Sequence, residues 1–146
     1  MGEAELFEGF DPAAFVRLTA DHGHNALVGI GYAAHGADWV ELHLPFRPDL
    51  TGDEGTGVLA TGPIFTLIDM VTSMAVWTLR GRFVAQATLD MRVDHLRATA
   101  AGEGVTARGH CYRLTRNVAF VRAEAWGHDR AQPVAQAAGT YMMTGE

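Results

Sequence analysis

The sequence holds one cysteine and no lysine. A single cysteine excludes an internal disulfide and suits a reducing compartment, so we expect a cytoplasmic protein. The first residues also lack the basic and apolar segments of a secretory signal. Seventeen acids against eleven arginines give a net charge of −6. Nucleic-acid binding depends on neutralising phosphates, so we expect no nucleic-acid partner.

The arginines are concentrated in the second half of the chain. Residues 1–60 hold ten acids and two arginines, whereas residues 61–146 hold seven acids and nine arginines. The guanidinium fork matches phosphate geometry, so these arginines could meet the phosphates of a small ligand. Exposed arginines on strand faces are the simpler explanation for any one of them. At 146 residues the chain is expected to form one domain, with residues 1–10 as a loose arm.

The centre of the sequence is an apolar segment that begins with the signature of a helix. From Pro63 to Leu79 it carries one formal charge, on Asp69. Thr61 is expected to be the N-cap, and Pro63 suits the first turn. The apolar positions cover more than one side, which predicts a helix buried nearly all round. It is too short and too polar for a convincing membrane span, so we expect no membrane partner.

Two interpretations of Asp69 follow from its apolar surroundings. A buried carboxylate is costly unless it is paired or hydrogen-bonded. A structural carboxylate would be bonded to an arginine or a backbone N–H and kept for packing. A functional one would lie at a crevice as a general base or nucleophile. Composition alone does not separate the two.

The rest of the sequence predicts a short helix and six strands. Asp11 caps the helix, which begins at Pro12. The strands are expected over 25–35, 39–44, 83–96, 103–114, 118–128 and 133–144. Consecutive strands at this spacing favour an antiparallel meander. We therefore predict an α+β fold in which a six-stranded antiparallel sheet wraps one long helix. Its free edges predict pairing with a second copy of the chain.

Three segments resemble a known family. They are G-V-L-A-T-G-P-I-F-T-L-I-D-M-V at 57–71, T-L-D-M-R-V-D-H-L-R at 88–97 and A-Q-A-A-G-T-Y at 135–141. Together with the order of elements, they resemble hotdog-fold acyl-CoA thioesterases, especially the PaaI-like and 4-hydroxybenzoyl-CoA subgroup. The resemblance covers about residues 25–144. It implies hydrolysis of a coenzyme A thioester without a further cofactor or metal. It also implies a homodimer assembling to a homotetramer, with the site at the subunit interface.

The resemblance assigns roles at the start of the central helix. Members usually carry His-Gly-Gly there, with an acid nine residues after the histidine; this chain has Ala60, Thr61 and Gly62, followed by Asp69. By this resemblance the Thr61 N–H is the oxyanion donor, next to Gly62. Asp69 is the base or nucleophile. The family histidine, which positions substrate, is replaced by Ala60.

Further positions are implied by the same resemblance. Ser73, one turn beyond Asp69, matches a residue that orients water. Glu54, the second carboxylate assigned to the catalytic site, stands where a neutral amide is usual. Substrate and coenzyme A contacts are expected from Ala60, Thr88, Arg97, Arg116 and Asn117.

The altered motif keeps a second function open. A non-catalytic acyl-CoA or acyl-lipid binding protein could retain the fold and lack the chemistry. A hotdog dehydratase is disfavoured, because those enzymes pair a catalytic histidine with the acid and no histidine lies between Asp53 and Asp94.

Overall fold

A computed structural model describes residues 8–53 and 55–145 of the chain. In chain order the elements are α1 (Pro12–Leu18), α2 (Gly23–Val28), β1 (Gly31–His35), β2 (Trp39–Leu44), a short 3₁₀ helix (Pro48–Leu50), α3 (Thr61–Arg80), β3 (Gln86–His95), β4 (Val105–Leu114), β5 (Val118–Trp126) and β6 (Ala135–Met143). All six strands form one antiparallel sheet around α3. The predicted fold class is confirmed.

The order of strands differs from the predicted meander. It is β1-β2-β4-β5-β6-β3, so β3 pairs with β6 instead of β4. Hairpin connections are usually two to five residues long. The connection 96–104 is longer and carries the chain from one edge strand to the middle of the sheet. The strands β1 and β3 are consequently the two edges, and β3 is the longer one.

The strand predicted over 25–35 is only partly a strand. Its first half belongs to helix α2, which ends at Gly29 in the left-handed conformation with φ 82°. The Gly29 N–H donates to the carbonyls of Asn25 and Ala26, which closes the last helical turn. The run Ala26-Leu27-Val28 is apolar without alternation, and such short runs suit a helix as well as a strand.

Helix α3 begins one residue earlier than its predicted cap. Ala60 is the N-cap and makes no side-chain hydrogen bond, so Thr61 is the first helical residue. The prediction of Thr61 as N-cap is therefore wrong. The helix ends at Gly81, whose φ of 76° allows the left-handed C-cap. From Val71 to Trp77 every residue is buried.

The first half of α3 is open on one side. Gly62 and Phe65 are exposed, and Thr66 and Asp69 are partly buried. Phe65 and Thr66 each lie three or four residues from both Gly62 and Asp69, so the four residues form one continuous surface along the helix, here called the exposed stripe. The prediction of a helix buried nearly all round therefore holds only for its second half.

Trp77 ties the end of α3 to the N-terminal region. Its indole N–H donates to the Val84 carbonyl at 2.8 Å. Its ring lies 5.4 Å from that of Phe10 and 5.3 Å from that of Phe15, between centroids. The predicted loose arm over 1–10 falls mostly outside the described residues, and its end, Phe10, packs on this tryptophan. By length and hydropathy α3 could cross a membrane, but it packs against β2, β4 and β5 as a core helix.

Candidate active site

Asp69 lies on the exposed stripe, two turns into α3. Its Oδ1 accepts hydrogen bonds from the Thr88 hydroxyl and the Tyr141 hydroxyl, each at 3.0 Å. Within residues 8–53 and 55–145, no donor contacts its Oδ2. Neither an arginine nor a backbone N–H pairs with this carboxylate there. The carboxylate is therefore fixed by one oxygen and open at the other, which suits a reacting group.

Tyr141 comes from the inner face of β6 and is 1% exposed. Its hydroxyl lies 2.8 Å from both the Asp69 backbone carbonyl and the Thr72 hydroxyl. Burial, and then the charge of Asp69, raise the pKa of the Tyr141 phenol well above its usual value of 10. Tyr141 is thus a neutral donor beside the carboxylate.

Thr88 lies on edge strand β3, directly opposite Tyr141 in the register of β3 with β6. It was predicted as a substrate contact, and the structure places its hydroxyl on Asp69. Neither Tyr141 nor Thr72 was predicted as a site residue. The motif A-Q-A-A-G-T-Y contains Tyr141, but only the strand register brings it to Asp69.

The first turn of α3 presents unbonded backbone donors. The N–H groups of Thr61 and Gly62 have no acceptor among the described residues. Pro63 has no N–H, so this turn offers two donors at its start. A Cβ built on Gly62 would meet nothing within 4 Å. The positive end of the helix dipole and this open approach favour an oxygen that gains negative charge.

The remaining predicted residues of the motif lie in different surroundings. Ser73 is buried in the helix, with 8% of its surface exposed. Its carbonyl accepts from the Gln86 side chain at 3.1 Å. Ala60 donates its N–H to the Leu50 carbonyl at 2.9 Å. Glu54 lies outside the described residues.

The predicted coenzyme A contacts fall at opposite ends of β3. Arg116 and Asn117 lie in the β4–β5 hairpin, and the Asn117 carbonyl accepts from Met143 N at 2.9 Å. Met143 pairs with Gln86, two residues from Thr88, so this hairpin lies at the Asp69 end of the sheet. Arg97 follows the other end of β3, about 30 Å away along the strand.

Arg97 is held by a neighbouring loop. Its guanidinium donates to the Gln132 side-chain oxygen at 2.6 Å and to the Gln132 carbonyl at 2.5 Å. It lines a cavity of about 340 Å³ with Thr99, Glu103 and His128. Arg97 and Asp69 of one chain therefore do not share a site.

Helix α2 borders the exposed stripe. His24 Nε2 lies 3.0 Å from the Thr66 hydroxyl, one turn before Asp69 on the same side of α3. Across the described residues, no group of three histidine, cysteine, aspartate or glutamate side chains could hold a metal ion. The exposed stripe thus carries a carboxylate and hydroxyl groups, the His24 imidazole lies at its border, and the first turn of α3 adds two backbone donors.

Comparisons with known proteins identify the family and the fold of the chain. A sequence model described as the thioesterase superfamily matches residues 56–134. Among curated proteins none matches the sequence. A solved structure of a Pseudomonas aeruginosa protein is 29% identical, with a TM-score of 0.78, over 88% of this chain and 95% of its own.

Two more distant structures show the same fold. A thioesterase from Haemophilus influenzae is 21% identical with a TM-score of 0.81, over 96% of this chain and 95% of its own. The PaaI protein of the phenylacetic acid degradation operon of Escherichia coli is 16% identical with a TM-score of 0.76, over 91% of each chain.

Proposed function

Because the chain belongs to the thioesterase superfamily, we propose that it hydrolyses the thioester of a small or medium acyl-CoA. The observation that carries this proposal is the Asp69 carboxylate, which is anchored through Oδ1 and open at Oδ2. A thioester is an activated acyl group, so its hydrolysis requires little beyond an oxyanion donor and a carboxylate. Both are present on α3.

The Thr61 N–H serves as the oxyanion donor in this proposal. Attack on the thioester carbon turns the carbonyl oxygen into an oxyanion, which the N–H and the helix dipole stabilise. Collapse of the tetrahedral intermediate breaks the C–S bond and releases the coenzyme A thiolate. Asp69 either takes the proton from the attacking water or attacks directly to form an anhydride that water then cleaves. Single-turnover hydrolysis in ¹⁸O-water identifies direct attack when water cleaves the anhydride at the Asp69 carbonyl carbon, because only then does an enzyme oxygen leave in the first acid released.

A second copy of the chain completes the site in this proposal. Thr61 and Asp69 are eight residues apart on one helix, or about 12 Å along its axis. A backbone donor and a nucleophilic carboxylate that act on one carbonyl each lie within about 3–3.5 Å of it, and a carboxylate that acts as a general base lies only one water molecule farther away. The Thr61 N–H of one chain therefore acts with the Asp69 of another. The long free edge of β3, with Leu89 55% exposed, and the 40% exposed Phe65 on the stripe support pairing as a homodimer, and further assembly to a homotetramer.

The coenzyme A arm is assigned to the hairpin at the Asp69 end of the sheet. Arg116 and Asn117 lie there, and an arginine suits a phosphate. Arg97 lies at the far end of β3 from Asp69. In this proposal it contacts only substrate that is bound at the Asp69 of another chain. Nothing in the arrangement needs a cofactor beyond the substrate itself.

The test is release of free thiol from a panel of acyl-CoA esters. Asp69→Asn should lower kcat by about 10²- to 10⁴-fold without changing the melting temperature or oligomeric state. Asp129→Asn, an exposed acid in the β5–β6 turn, is the matched control and should keep wild-type turnover. Wild-type turnover in Asp69→Asn would overturn the assignment.

The altered motif supports one alternative, a protein that binds acyl-CoA or an acyl-lipid without hydrolysing it. Ala60 and Thr61 stand where the family has histidine and glycine. Thermal shifts with the same esters separate the two functions. Stabilisation by a thioester without thiol release would favour binding alone.

A further inference from the structure

The two oxygens of Asp69 have different surroundings. Oδ1 receives both hydroxyl donors, from Thr88 and Tyr141, and Oδ2 receives none from the described residues. Thr88 and Tyr141 are cross-strand partners in the register of β3 with β6. The sheet therefore positions the carboxylate, although the carboxylate belongs to the helix.

The Tyr141 hydroxyl has one proton and three oxygens within reach. These are Asp69 Oδ1 at 3.0 Å, the Asp69 carbonyl at 2.8 Å and the Thr72 hydroxyl at 2.8 Å. The Thr72 hydroxyl itself donates to the Ile68 carbonyl at 2.8 Å. An ionised carboxylate is a stronger acceptor than a neutral carbonyl or hydroxyl. The proton of Tyr141 therefore goes to Oδ1 whenever Asp69 is ionised.

We propose that Tyr141 is a positioning residue for Asp69, whose hydroxyl holds Oδ1 and so leaves Oδ2 as the oxygen that meets substrate. This inference rests on the proposed thioesterase function. The last torsion of an aspartate side chain is broad, so an untethered carboxylate would exchange its two oxygens. When Asp69 loses its charge, the tyrosine proton can turn to the carbonyl 2.8 Å away, and no buried donor is left unpaired.

The kinetic test is the split between kcat and KM. Tyr141→Phe removes one oxygen and keeps the ring in the core. It should lower kcat by about tenfold to a hundredfold with KM changed less than about twofold, because positioning acts on the reacting geometry. Tyr112→Phe, at a 44% exposed tyrosine of β4, is the matched control and should change neither constant. A raised KM with unchanged kcat would contradict the assignment.

A spectroscopic test does not depend on turnover. In protein labelled with ¹³C at tyrosine, the chemical shift of the Tyr141 hydroxyl proton should lie farther downfield in the wild type than in Asp69→Asn, because the substitution removes the charged acceptor. An unchanged resonance would mean that the hydroxyl donates to a neutral oxygen, which overturns the proposal. Tyr141 is intact in this experiment, so it decides the matter even if Tyr141→Phe fails to fold. If the wild type releases no thiol from any ester, the proposed function fails, and the resonance still tests the contact.

Discussion

Gly109 of β4 lies directly beneath the Val71 carbonyl of α3. A Cβ built on Gly109 would come within 2.6 Å of the Val71 oxygen and 2.7 Å of its carbon. Real Cβ atoms do not approach backbone so closely, so only glycine allows the helix to pack this near to the sheet. Val71 lies two residues beyond Asp69, so this contact sets the distance between the Asp69 segment of α3 and the sheet that carries the hydrogen-bond partners of Asp69.

Gly109→Ala should therefore destabilise the protein by about 1–3 kcal/mol, because the helix must move off the sheet to make room. Urea unfolding of the purified protein measures the change. Gly62→Ala is the matched control: its new methyl group would enter open space, so its free energy of unfolding should stay within about 1 kcal/mol of wild type. Equal stabilities of the two variants would contradict the close contact.

Thr61→Pro tests the oxyanion donor. Ala60 has φ −65° and ψ 157°, the conformation that a residue before proline adopts, and proline is favoured as the first helical residue. The substitution should therefore leave the melting temperature unchanged, while the missing N–H lowers kcat by about 10²- to 10³-fold. Thr61→Ala loses the side chain and keeps the N–H, so it should retain activity. Equal kcat values for the two variants would exclude this N–H as the donor.

His43 should make stability depend on pH. It lies on β2 with its Nδ1 3.0 Å from the Thr106 hydroxyl, and burial holds its pKa below the usual 6.5. Below pH 6.5, His43 is protonated more readily in the unfolded chain than in the folded chain. The free energy of unfolding should therefore fall as pH drops below about 6.5, and level off below the pKa of the folded state.

His43→Gln should remove part of this dependence. Urea unfolding between about pH 5 and pH 7.5 gives the slope for each variant. His128→Gln, at a 90% exposed side chain, is the control and should keep the wild-type slope. If His43→Gln also kept that slope, burial of His43 would not be its source.

Local sequence patterns were sufficient for most of the elements. The cap at Asp11, the proline at Pro63 in the first turn of α3 and the polar–apolar pattern of Trp39–Leu44 act within a few residues, so the elements they mark could be predicted. The pairing of β3 with β6 could not, since it depends on which strand the chain returns to after 96–104. Helix α2 was missed because an apolar run of three residues does not distinguish a helix from a strand.

The candidate site was predicted only in part for the same reason. Asp69 was identifiable as the lone charge in an apolar helix, and Thr61 as a residue at its start. The partners of Asp69 come from residues 19 and 72 positions later, and only the register of β3 with β6 aligns Thr88 with Tyr141. A buried tyrosine in a strand is usually a packing residue, so the sequence around Tyr141 does not predict a hydrogen bond to Asp69.

The central claim, that Asp69 of one chain acts with the Thr61 N–H of another, is tested most directly by mixing two inactive variants. Each variant chain, Thr61→Pro or Asp69→Asn, lacks one half of the site. The two chains are co-expressed with different tags, and both the mixed dimers and the unselected mixture are purified. Random mixing makes half of the dimers mixed, and each mixed dimer rebuilds one of its two sites. The unselected mixture should therefore release thiol at about a quarter of the wild-type rate per chain. Activity no higher than that of the separate variants would contradict a site shared between chains.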